Sequence, residues 1–292
     1  MAITPIYVNR RIRDDERRAR IFDGGLFLYT CPPASGVLID WIHSLVQDAF
    51  GAGTDARRAH EAYDVQEFVK RAAPLKSRFT NDPTTKRLCQ ELIVAMGCDP
   101  ELTYFDLPRL RVIPPNNYLT SGVSYNYKPH RDTWYAHPRQ LINYWVPAHD
   151  SEPTNVMSMY VDFFHQPVSN ASGEWDYDEW VKNSRFAAAK NVGAETRPHP
   201  LPLEEVGGST DLRLVQNGGD MMLFSTCQLH ASAPNQTQFV RYSYDLRTLH
   251  IEDLRSQRGP SNLDGRAGGS TLQDFLRVSD LQPLEPAALT NA

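Results

Sequence analysis

The segment NGGDMMLFSTCQLHASAPNQTQFVRYSYD, residues 217–245, alternates turns with short β-rich runs and decides the fold class. GGD predicts a turn, and the apolar run MMLFST after it predicts a buried strand that delivers His230 near its end. Pro234 and Asn235 then interrupt the chain, and FVRYSYDLR predicts the strand that returns. Because alternate residues of a strand share a face, four polar side chains of this strand are expected together. They are Arg241, Ser243, Asp245 and Arg247.

Similar runs, rich in β-branched and aromatic residues, fill residues 101–250 and are separated by Pro, Gly, Asn and Ser. This spacing is typical of an all-β sandwich or barrel. Strands do not alternate regularly with helices, and no G-x-G-x-x-G or Walker sequence occurs, which argues against a nucleotide-binding α/β fold. The expected fold class is mainly β with flanking helices (α+β), in which a closed two-sheet jelly roll forms the core.

The first hundred residues predict helices instead. Apolar residues recur at three- and four-residue steps in SGVLIDWIHSLVQDAFG, and residues 55–73 and 82–97 repeat the pattern. In the last of these, Asp82 is a candidate cap, Pro83 occupies the first helical position and Gly97 ends the helix. We assign these helices to packing against the sheet.

The chain is therefore expected to form one domain, residues 1–292, in three parts. A mainly helical part covers 1–100, the jelly-roll core covers 101–250, and a polar tail with one helix, at 270–281, covers 251–292. An insertion at 170–209 interrupts the core, and Asp176 could cap a short helix there that runs to about Lys190. Loops of this length are often functional lids and otherwise mobile surface, and we favour the lid.

Composition excludes several classes of function. With 292 residues and a formal net charge of -5, the chain lacks the basic surface of a nucleic-acid-binding protein. No apolar stretch approaches the ~18 residues of a membrane span, and the N-terminus has no signal-peptide core. The four cysteines show neither zinc-site nor disulfide spacing. We expect a cytoplasmic monomer or homodimer that acts on a small molecule, with no nucleic acid and no membrane as partner.

The stretch YNYKPHRDTWYAH, residues 125–137, contains the tripeptide His130-Arg131-Asp132, which also occurs in the catalytic loop of protein kinases. A kinase loop requires an asparagine five residues after the aspartate, and this position is His137. The glycine-rich loop over the phosphates is missing as well. The kinase interpretation is therefore rejected.

The same tripeptide is also H-x-D, a pair of metal ligands. On a strand, His130 and Asp132 would point to one face and Arg131 would point away. With His230 they make two histidines and one carboxylate, the facial triad of non-haem Fe(II) oxygenases. A single strand histidine is more often structural, so the hypothesis rests on the whole set. His137, His149 and His165 are weaker candidates because none has a carboxylate two residues away.

Further polar residues are candidates for ligand binding. Arg241 and Ser243 would form a carboxylate clamp, a fork of N–H donors with a hydroxyl beside it. Asn143 lies on the strand LINYWVP and is assigned to the same co-substrate. Substrate contacts are predicted for four residues, each of which could instead be solvated or pack in the core. They are Arg109, Arg111, Trp134 and Tyr135.

Over residues 100–250, PHRDTWY together with GDMMLFSTCQLHASAPNQTQFVRYS resembles the Fe(II)/2-oxoglutarate-dependent dioxygenases, specifically their phytanoyl-CoA dioxygenase-like branch. The resemblance implies a double-stranded β-helix core with helices packed on it. It implies Fe(II), 2-oxoglutarate and O₂ as cofactors, His130, Asp132 and His230 as iron ligands, and Arg241 with Ser243 on the far carboxylate of 2-oxoglutarate.

The resemblance leaves the substrate open, because HQPVSNASGEW and the insertion at 170–209 depart from the pattern of the branch. Related halogenases have Gly or Ala at the position of Asp132, so a carboxylate there favours hydroxylation, with desaturation or cyclisation as further outcomes. The expected substrate is a small metabolite or natural-product intermediate. Two alternatives stay open: a metal oxidase or hydrolase on the same fold that does not use 2-oxoglutarate, and a catalytically silent jelly-roll binding protein.

Overall fold

The computed structural model describes residues 4–206 and 211–285. In these ranges the α-helices are α1 (Asp14–Phe22), α2 (Pro33–Phe50), α3 (Ala59–Ala62), α4 (Val65–Asn81), α5 (Pro83–Ala95), α6 (Tyr177–Asn183) and α7 (Ile251–Arg255). The strands are β1 (Ile6–Val8), β2 (Leu26–Tyr29), β3 (Thr103–Phe105), β4 (Arg109–Ile113), β5 (Ile142–Pro147), β6 (Met157–Tyr160), β7 (Asp211–Leu212), β8 (Met221–Ser225), β9 (His230–Ser232), β10 (Arg241–His250) and β11 (Leu276–Arg277). The fold is α+β.

The N-terminal helices begin where polar caps occur in the sequence. The side chain of Asp82 accepts a hydrogen bond from the N–H of Thr84 at 2.8 Å and starts α5, as predicted. The helix predicted over 55–73 is instead divided, because Asp64 accepts from the N–H of Glu67 and starts α4 at Val65. Residues 56–62 form separate short helical turns ahead of it.

Two sheets form the core. The larger follows the order β1-β2-β8-β5-β10-β3-β11, with β4 also paired to β10, and the smaller follows β7-β6-β9. All of these pairs are antiparallel except β1 with β2. β10 is central because it pairs with β5 along one edge and with β4 and β3 along the other.

The two faces of β10 have different environments. Tyr242, Tyr244 and Leu246 are buried in the main apolar core, which the strand shares with α2, α4 and α5. A smaller apolar cluster includes Trp145 from β5 and Phe224 from β8, together with residues of β6. The charged residues of β10 lie on the face opposite its tyrosines, as the alternation of the sequence predicted. The helices therefore cover one face of the large sheet and leave the other for the site.

The C-terminal tail differs from the prediction. Residues 270–281 do not form a helix: Thr271–Asp274 is one turn of 3-10 helix, and β11 follows it. β11 pairs with β3, and Phe275 between the two elements is fully buried. Pairing at the sheet edge satisfies the backbone in an extended form, which tertiary contacts favour here over the helical pattern. The one α-helix of the described tail is α7, directly after β10.

The insertion is only partly helical. Asp176 caps α6 as predicted, accepting from the N–H groups of Asp178 and Glu179, but α6 ends at Asn183 rather than near Lys190. A separate 3-10 turn follows at Ala188–Lys190. Residues 207–209 of the insertion lie outside the described residues. None of the helices in the described ranges is both long enough and apolar enough to cross a membrane.

Arg131, the middle residue of the H-R-D tripeptide, points away from His130 and Asp132 and anchors three segments. It is buried, pairs with Asp264 at 3.0 Å and donates to the backbone carbonyls of Phe163, Gln166 and Cys227. Asp264 also accepts from the N–H of Val168 at 2.8 Å. A buried pair in which all three guanidinium nitrogens donate holds the loops behind the site in one arrangement.

Replacing Arg131 is expected to destabilise the fold strongly. Arg131→Met leaves the charge of Asp264 buried without a cation and removes the donor from three backbone carbonyls, so the free energy of unfolding should fall by about 3–5 kcal/mol in urea denaturation. The matched control is Arg87→Gln, because Arg87 pairs with Glu91 on the surface and such pairs contribute about 0.5 kcal/mol. Equal effects of the two substitutions would contradict the anchoring role.

Candidate active site

His130, Asp132 and His230 converge to form a buried metal-binding triad. One potential ligand atom from each residue lies within 4.8 Å of the others, and all three residues are buried. The Nε2 atom of His130 is 3.6 Å from an Oδ1 of Asp132, and the two imidazole rings are 4.4 Å apart between centroids. The three residues that were predicted from the sequence as one set of metal ligands are therefore close together in the structure.

The backbone that positions the triad differs from the expected strand. His130 and His230 face each other in an isolated antiparallel bridge, with N–H to C=O distances of 2.9 Å in both directions. Asp132 begins one turn of 3-10 helix, Asp132–Tyr135, and its N–H donates to the carbonyl of Thr226. Strand alternation therefore does not bring His130 and Asp132 together. His230 starts β9 in the smaller sheet rather than ending β8, because the chain turns between Ser225 and His230.

Both histidines present the same ring nitrogen to the centre. The Nδ1 atom of His130 is 2.7 Å from the carbonyl of Lys128, and that of His230 is 2.8 Å from the carbonyl of Gln228. A carbonyl only accepts, so Nδ1 carries the proton and Nε2 keeps the lone pair that a metal requires. Burial and the neighbouring His130 lower the pKa of His230 to about 4, which keeps its imidazole neutral.

The carboxylate of Asp132 is held by two other side chains. Arg247 donates to it twice, from Nε at 3.1 Å and Nη2 at 3.2 Å, and the amide of Asn143 donates at 2.7 Å. Burial alone would raise the pKa of Asp132, but Arg247 and His130 outweigh burial and hold the pKa well below its ordinary value. Asn143, assigned from sequence to the co-substrate, thus contacts the metal-binding carboxylate.

Arg247 has no role in the sequence analysis beyond its place on the polar face of β10. In the structure it also pairs with Asp106, whose carboxylate accepts from Nη1 at 2.9 Å and from the N–H of Arg247 at 2.7 Å. Burial opposes the charge, yet Asp132 and Asp106 raise the pKa of Arg247 above its ordinary value. The period-two alignment with Arg241 was the only sequence signal for this position.

A cavity of about 80 Å³, here called the metal cavity, adjoins the triad. Of the residues predicted to bind co-substrate or substrate, five contribute to its wall: Arg109, Arg111, Tyr135, Asn143 and Arg241. Trp134 does not, because the 3-10 turn buries it on the opposite side, where its Nε1 donates to Asp264 at 2.7 Å. This position does not fit the substrate contact predicted for Trp134. Ser243 is fully buried beside the wall, and its Oγ has no hydrogen-bond partner.

Arg241 is a buried cation without a matching anion. Its Nη1 donates to the carbonyl of Asn155 at 2.7 Å, its Nε has no partner, and in the described ranges no carboxylate lies within ion-pair distance of it. Burial and the neighbouring Arg111 lower the pKa of Arg241 to about 10. A buried guanidinium is costly unless paired, so this end of the metal cavity suits an anionic ligand.

The two other arginines of the wall differ from Arg241 and from each other. Arg111 is committed to Asp245, with distances of 2.5 and 2.9 Å, and its guanidinium lies 4.8 Å from the centre of the Tyr127 ring. Arg109 approaches its nearest carboxylate, that of Asp106, only to 4.0 Å. Arg111 therefore supports the wall, whereas Arg109 keeps most of its donors for another partner.

The insertion closes the metal cavity with aromatic residues that the sequence analysis did not assign. They are Trp175, Tyr177, Trp180 and His199. His199 accepts from or donates to the hydroxyl of Tyr135 at 3.2 Å and stacks on Tyr125, with ring centroids 4.0 Å apart. Only the length of the insertion signalled a role, because its aromatic residues follow no motif.

Gly122 lets the insertion approach the core. The carboxylate of Glu195 accepts from the N–H of Gly122 at 2.8 Å, and Arg197 donates to its carbonyl at 3.0 Å. Gly122 has φ +57°, and a Cβ there would lie 2.3 Å from the carbonyl oxygen of Ala188 and 2.5 Å from that of Asn191. Glycine is required for both reasons, the left-handed backbone and the close approach.

Gly122→Ala is expected to displace the insertion from the core. Because the added methyl meets backbone carbonyls, residues 188–197 should move outward and become more sensitive to limited proteolysis, with faster amide exchange. Gly53→Ala is the control, since nothing lies within 4 Å of a Cβ at Gly53. Unchanged proteolysis of Gly122→Ala would contradict this packing.

Acidification is expected to destabilise the metal-free protein through its buried neutral histidines. Burial lowers the pKa of His199 to about 4, whereas an unfolded histidine has a pKa of about 6.5. Between these values the unfolded chain binds a proton that the folded chain does not, so stability falls as the pH falls, by up to about 1.4 kcal/mol per pH unit. In urea unfolding of chelator-treated protein, His199→Gln should reduce this slope by about one proton. A slope identical to that of the wild type would exclude His199 as a contributor.

Among the comparisons with known proteins, only the comparison with solved structures finds chains similar to this one. No protein-family model matches it, and no curated protein matches it. One solved structure, EvdO2 from Micromonospora carbonacea var. aurantiaca complexed with 2-oxoglutarate, is 12% identical and aligns over 83% of this chain and 92% of that one, with a TM-score of 0.45.

Two further structures align at similar levels. The epimerase SnoN in complex with Fe3+, alpha ketoglutarate and nogalamycin RO is 12% identical over 82% of this chain and 85% of that one, with a TM-score of 0.40. The non-heme monooxygenase ThoJ, in its apo form, is 12% identical over 87% and 84%, with a TM-score of 0.37. At these values the similarity assigns no function to the chain.

Proposed function

We propose that the chain is a non-haem Fe(II)/2-oxoglutarate-dependent oxygenase that oxidises a C–H bond of a small metabolite or natural-product intermediate. One observation carries the proposal: a buried triad of two histidines and one carboxylate shares a cavity with Arg241, a buried cation without an anion. The triad is the donor set of non-haem iron oxygenases, and the arginine is what the far carboxylate of a 2-oxo acid requires.

The same proposal includes a double-stranded β-helix core, as in the phytanoyl-CoA dioxygenase-like branch that the motifs resemble. Strands β4, β10, β5 and β8 are neighbours in the larger sheet. Across the site, the bridge at His130 is followed by β9, β6 and β7 in the smaller one. Two four-membered layers of this kind support a jelly roll whose interior holds the triad.

The ligand set fits a first-row divalent metal. Two neutral imidazole nitrogens and one carboxylate oxygen are a donor set that would hold Fe(II) and leave positions for a co-substrate and O₂. When bound, iron with 2-oxoglutarate and O₂ would supply the oxidising power of the reaction, with succinate and CO₂ as co-products.

The residues of the chain position and protect this chemistry. The carbonyls of Lys128 and Gln228 fix the rings of His130 and His230 so that both Nε2 atoms face the centre. Arg247 and Asn143 hold Asp132 ionised and in one orientation. Supporting hydrogen bonds of this kind typically raise metal affinity by about 10–100-fold.

At the other end of the cavity, Arg241 binds the far carboxylate of 2-oxoglutarate, and the buried hydroxyl of Ser243 on the same strand face supports this end. The aromatic side chains of the insertion exclude water from the site, which protects reactive species from side reactions. Asp132 itself favours hydroxylation over halogenation, because a carboxylate occupies the space that a halide would need.

The alternatives are less well supported. A metal oxidase or hydrolase that does not use 2-oxoglutarate would leave Arg241 as a buried cation with no anion to bind. A silent binding protein would not need both histidines held with Nε2 facing one point. The unpaired guanidinium and the fixed tautomers therefore favour the oxygenase.

The proposal is tested by anaerobic titration with Fe(II) and 2-oxoglutarate. Bidentate chelation of the co-substrate at an open iron site should give a visible charge-transfer band in the wild type, and His230→Ala should lose it because one ligand is missing. Arg241→Met should keep the band but weaken 2-oxoglutarate affinity by about 30-fold or more, the effect of removing a buried charge-assisted hydrogen bond.

Arg213→Met is the control, since Arg213 pairs with Asp211 at the surface and lies outside the metal cavity. Succinate formation by His230→Ala at the wild-type rate would exclude the triad as the iron site. The absence of a charge-transfer band in the wild type would exclude 2-oxoglutarate as the co-substrate. Succinate release across amino acids, acyl thioesters, alkaloids and aminocyclitols would then narrow the substrate.

A further inference from the structure

A second, larger cavity lies beside the metal cavity. It measures about 500 Å³, against about 80 Å³ next to the triad. The two cavities have four wall residues in common: Arg109, Arg111, Tyr127 and Trp180. The second cavity is bounded by α4, by β4 and by residues 185–197 of the insertion. A substrate that reaches the triad and is larger than its immediate surroundings therefore has adjoining space on this side.

The wall of the second cavity is strongly cationic. No aspartate or glutamate among the described residues lines it, whereas five basic side chains do. They are Lys76, Arg109, Arg111, Arg185 and Arg197. The chain as a whole carries a formal net charge of -5, so the clustering of five basic residues around this cavity is opposite in sign to the net charge of the chain. A concave site lined by one sign of charge attracts ligands of the opposite sign.

Three of the five cations are already matched by carboxylates behind the wall. Arg111 pairs with Asp245 at 2.5 Å. Arg185 pairs with Asp274 at 3.0 Å, and Arg197 pairs with Glu195 at 2.7 Å. These pairs fix the guanidinium groups in place while part of each remains turned toward the cavity.

The other two cations, Lys76 and Arg109, have no carboxylate at hydrogen-bond distance in the described part of the chain. The ammonium of Lys76 on α4 donates to the carbonyl of Val123, and no carboxylate in the described part of the chain pairs with it. Burial, with Arg111 and Arg197 nearby, lowers the pKa of Lys76 to about 7. A bound anion would therefore stabilise the charged form of Lys76. For Arg109 the nearest carboxylate is Asp106 at 4.0 Å, and Asp106 already binds Arg247.

We propose that this second cavity, the basic chamber, binds a phosphoryl group of the substrate while the carbon to be oxidised lies at the metal. The arginine forks and the lysine point charge are the donors that phosphate oxygens take. Arg109, which faces both cavities, bridges the anionic end and the reacting end. The assignment of the ligand to the substrate rests on the proposed oxygenase function, whereas anion binding in the chamber does not.

Calorimetric titration of the chelator-treated protein with inorganic pyrophosphate tests the chamber without the metal. The wild type should bind at one site. Lys76→Met and Arg109→Gln should each weaken binding by about 10-fold or more, since each removes an unmatched cation and leaves the packed pairs intact. Lys70→Met is the matched control, because Lys70 lies on the same helix with its side chain 74% exposed, and its affinity should equal that of the wild type.

Competition experiments separate the chamber from the co-substrate site. Saturating 2-oxoglutarate should not displace pyrophosphate, and Arg241→Met should bind pyrophosphate as the wild type does. Displacement by 2-oxoglutarate, together with weaker 2-oxoglutarate binding in Lys76→Met, would assign the chamber to the co-substrate and overturn the proposal. Malonate binding as tight as that of pyrophosphate would overturn the phosphoryl assignment.

The failure of one proposal is distinguishable from the failure of the other. The protein could bind pyrophosphate through Lys76 and Arg109 but give no charge-transfer band with Fe(II) and 2-oxoglutarate. This result would contradict the oxygenase proposal and support the anion site. Conversely, the charge-transfer band could be normal while pyrophosphate does not bind, or binds with an affinity that neither Lys76→Met nor Arg109→Gln weakens. This result would contradict the basic-chamber proposal and support the oxygenase proposal.

Discussion

The buried ion pair between Arg247 and Asp132 is the interaction on which the geometry of the site depends. It joins the long central strand β10 to the 3-10 turn that carries the carboxylate. The same guanidinium binds Asp106 ahead of β4, and Asn143 from β5 donates to the same carboxylate. Removing one partner of such a network costs about 3–5 kcal/mol, because the charges left behind remain buried. Asp132 is therefore fixed by the fold before any ligand contributes.

β10 can serve as this platform because its other face is packed. Tyr242 and Tyr244 are buried against the helices, and the hydroxyl of Tyr242 donates to the carbonyl of Ala56 at 2.8 Å. In the described part of the chain α2, α4 and α5 contribute no residue to the wall of the metal cavity, yet their packing prevents the strand from shifting. Because alternate residues of a strand point to opposite faces, one set of β10 side chains packs in the core and the other set faces the site.

The parts of this arrangement that rest on local pattern were predictable from the sequence. Asp82 and Asp176 cap helices where their positions predicted, and the polar face of β10 followed from alternation alone. Phe275, in contrast, lies in a stretch with a helical pattern, yet pairing beside β3 holds that stretch extended. The anchoring role of Arg131 was not predicted, because its partners come from distant loops that no local pattern indicates. Contacts between segments far apart in the chain decide these cases.

The charged residues around the two cavities divide by whether the fold itself supplies a counter-ion. Arg247 and Arg111 each bind a carboxylate through two donors, and both serve to hold strands and ligands in place. Arg241 and Lys76 donate only to backbone carbonyls, although desolvation penalises their charge. A fold that carries more acidic than basic residues could have neutralised them, as it does their neighbours. That Arg241 in the metal cavity and Lys76 in the basic chamber are left without a carboxylate partner indicates that their counter-ions arrive with the ligands.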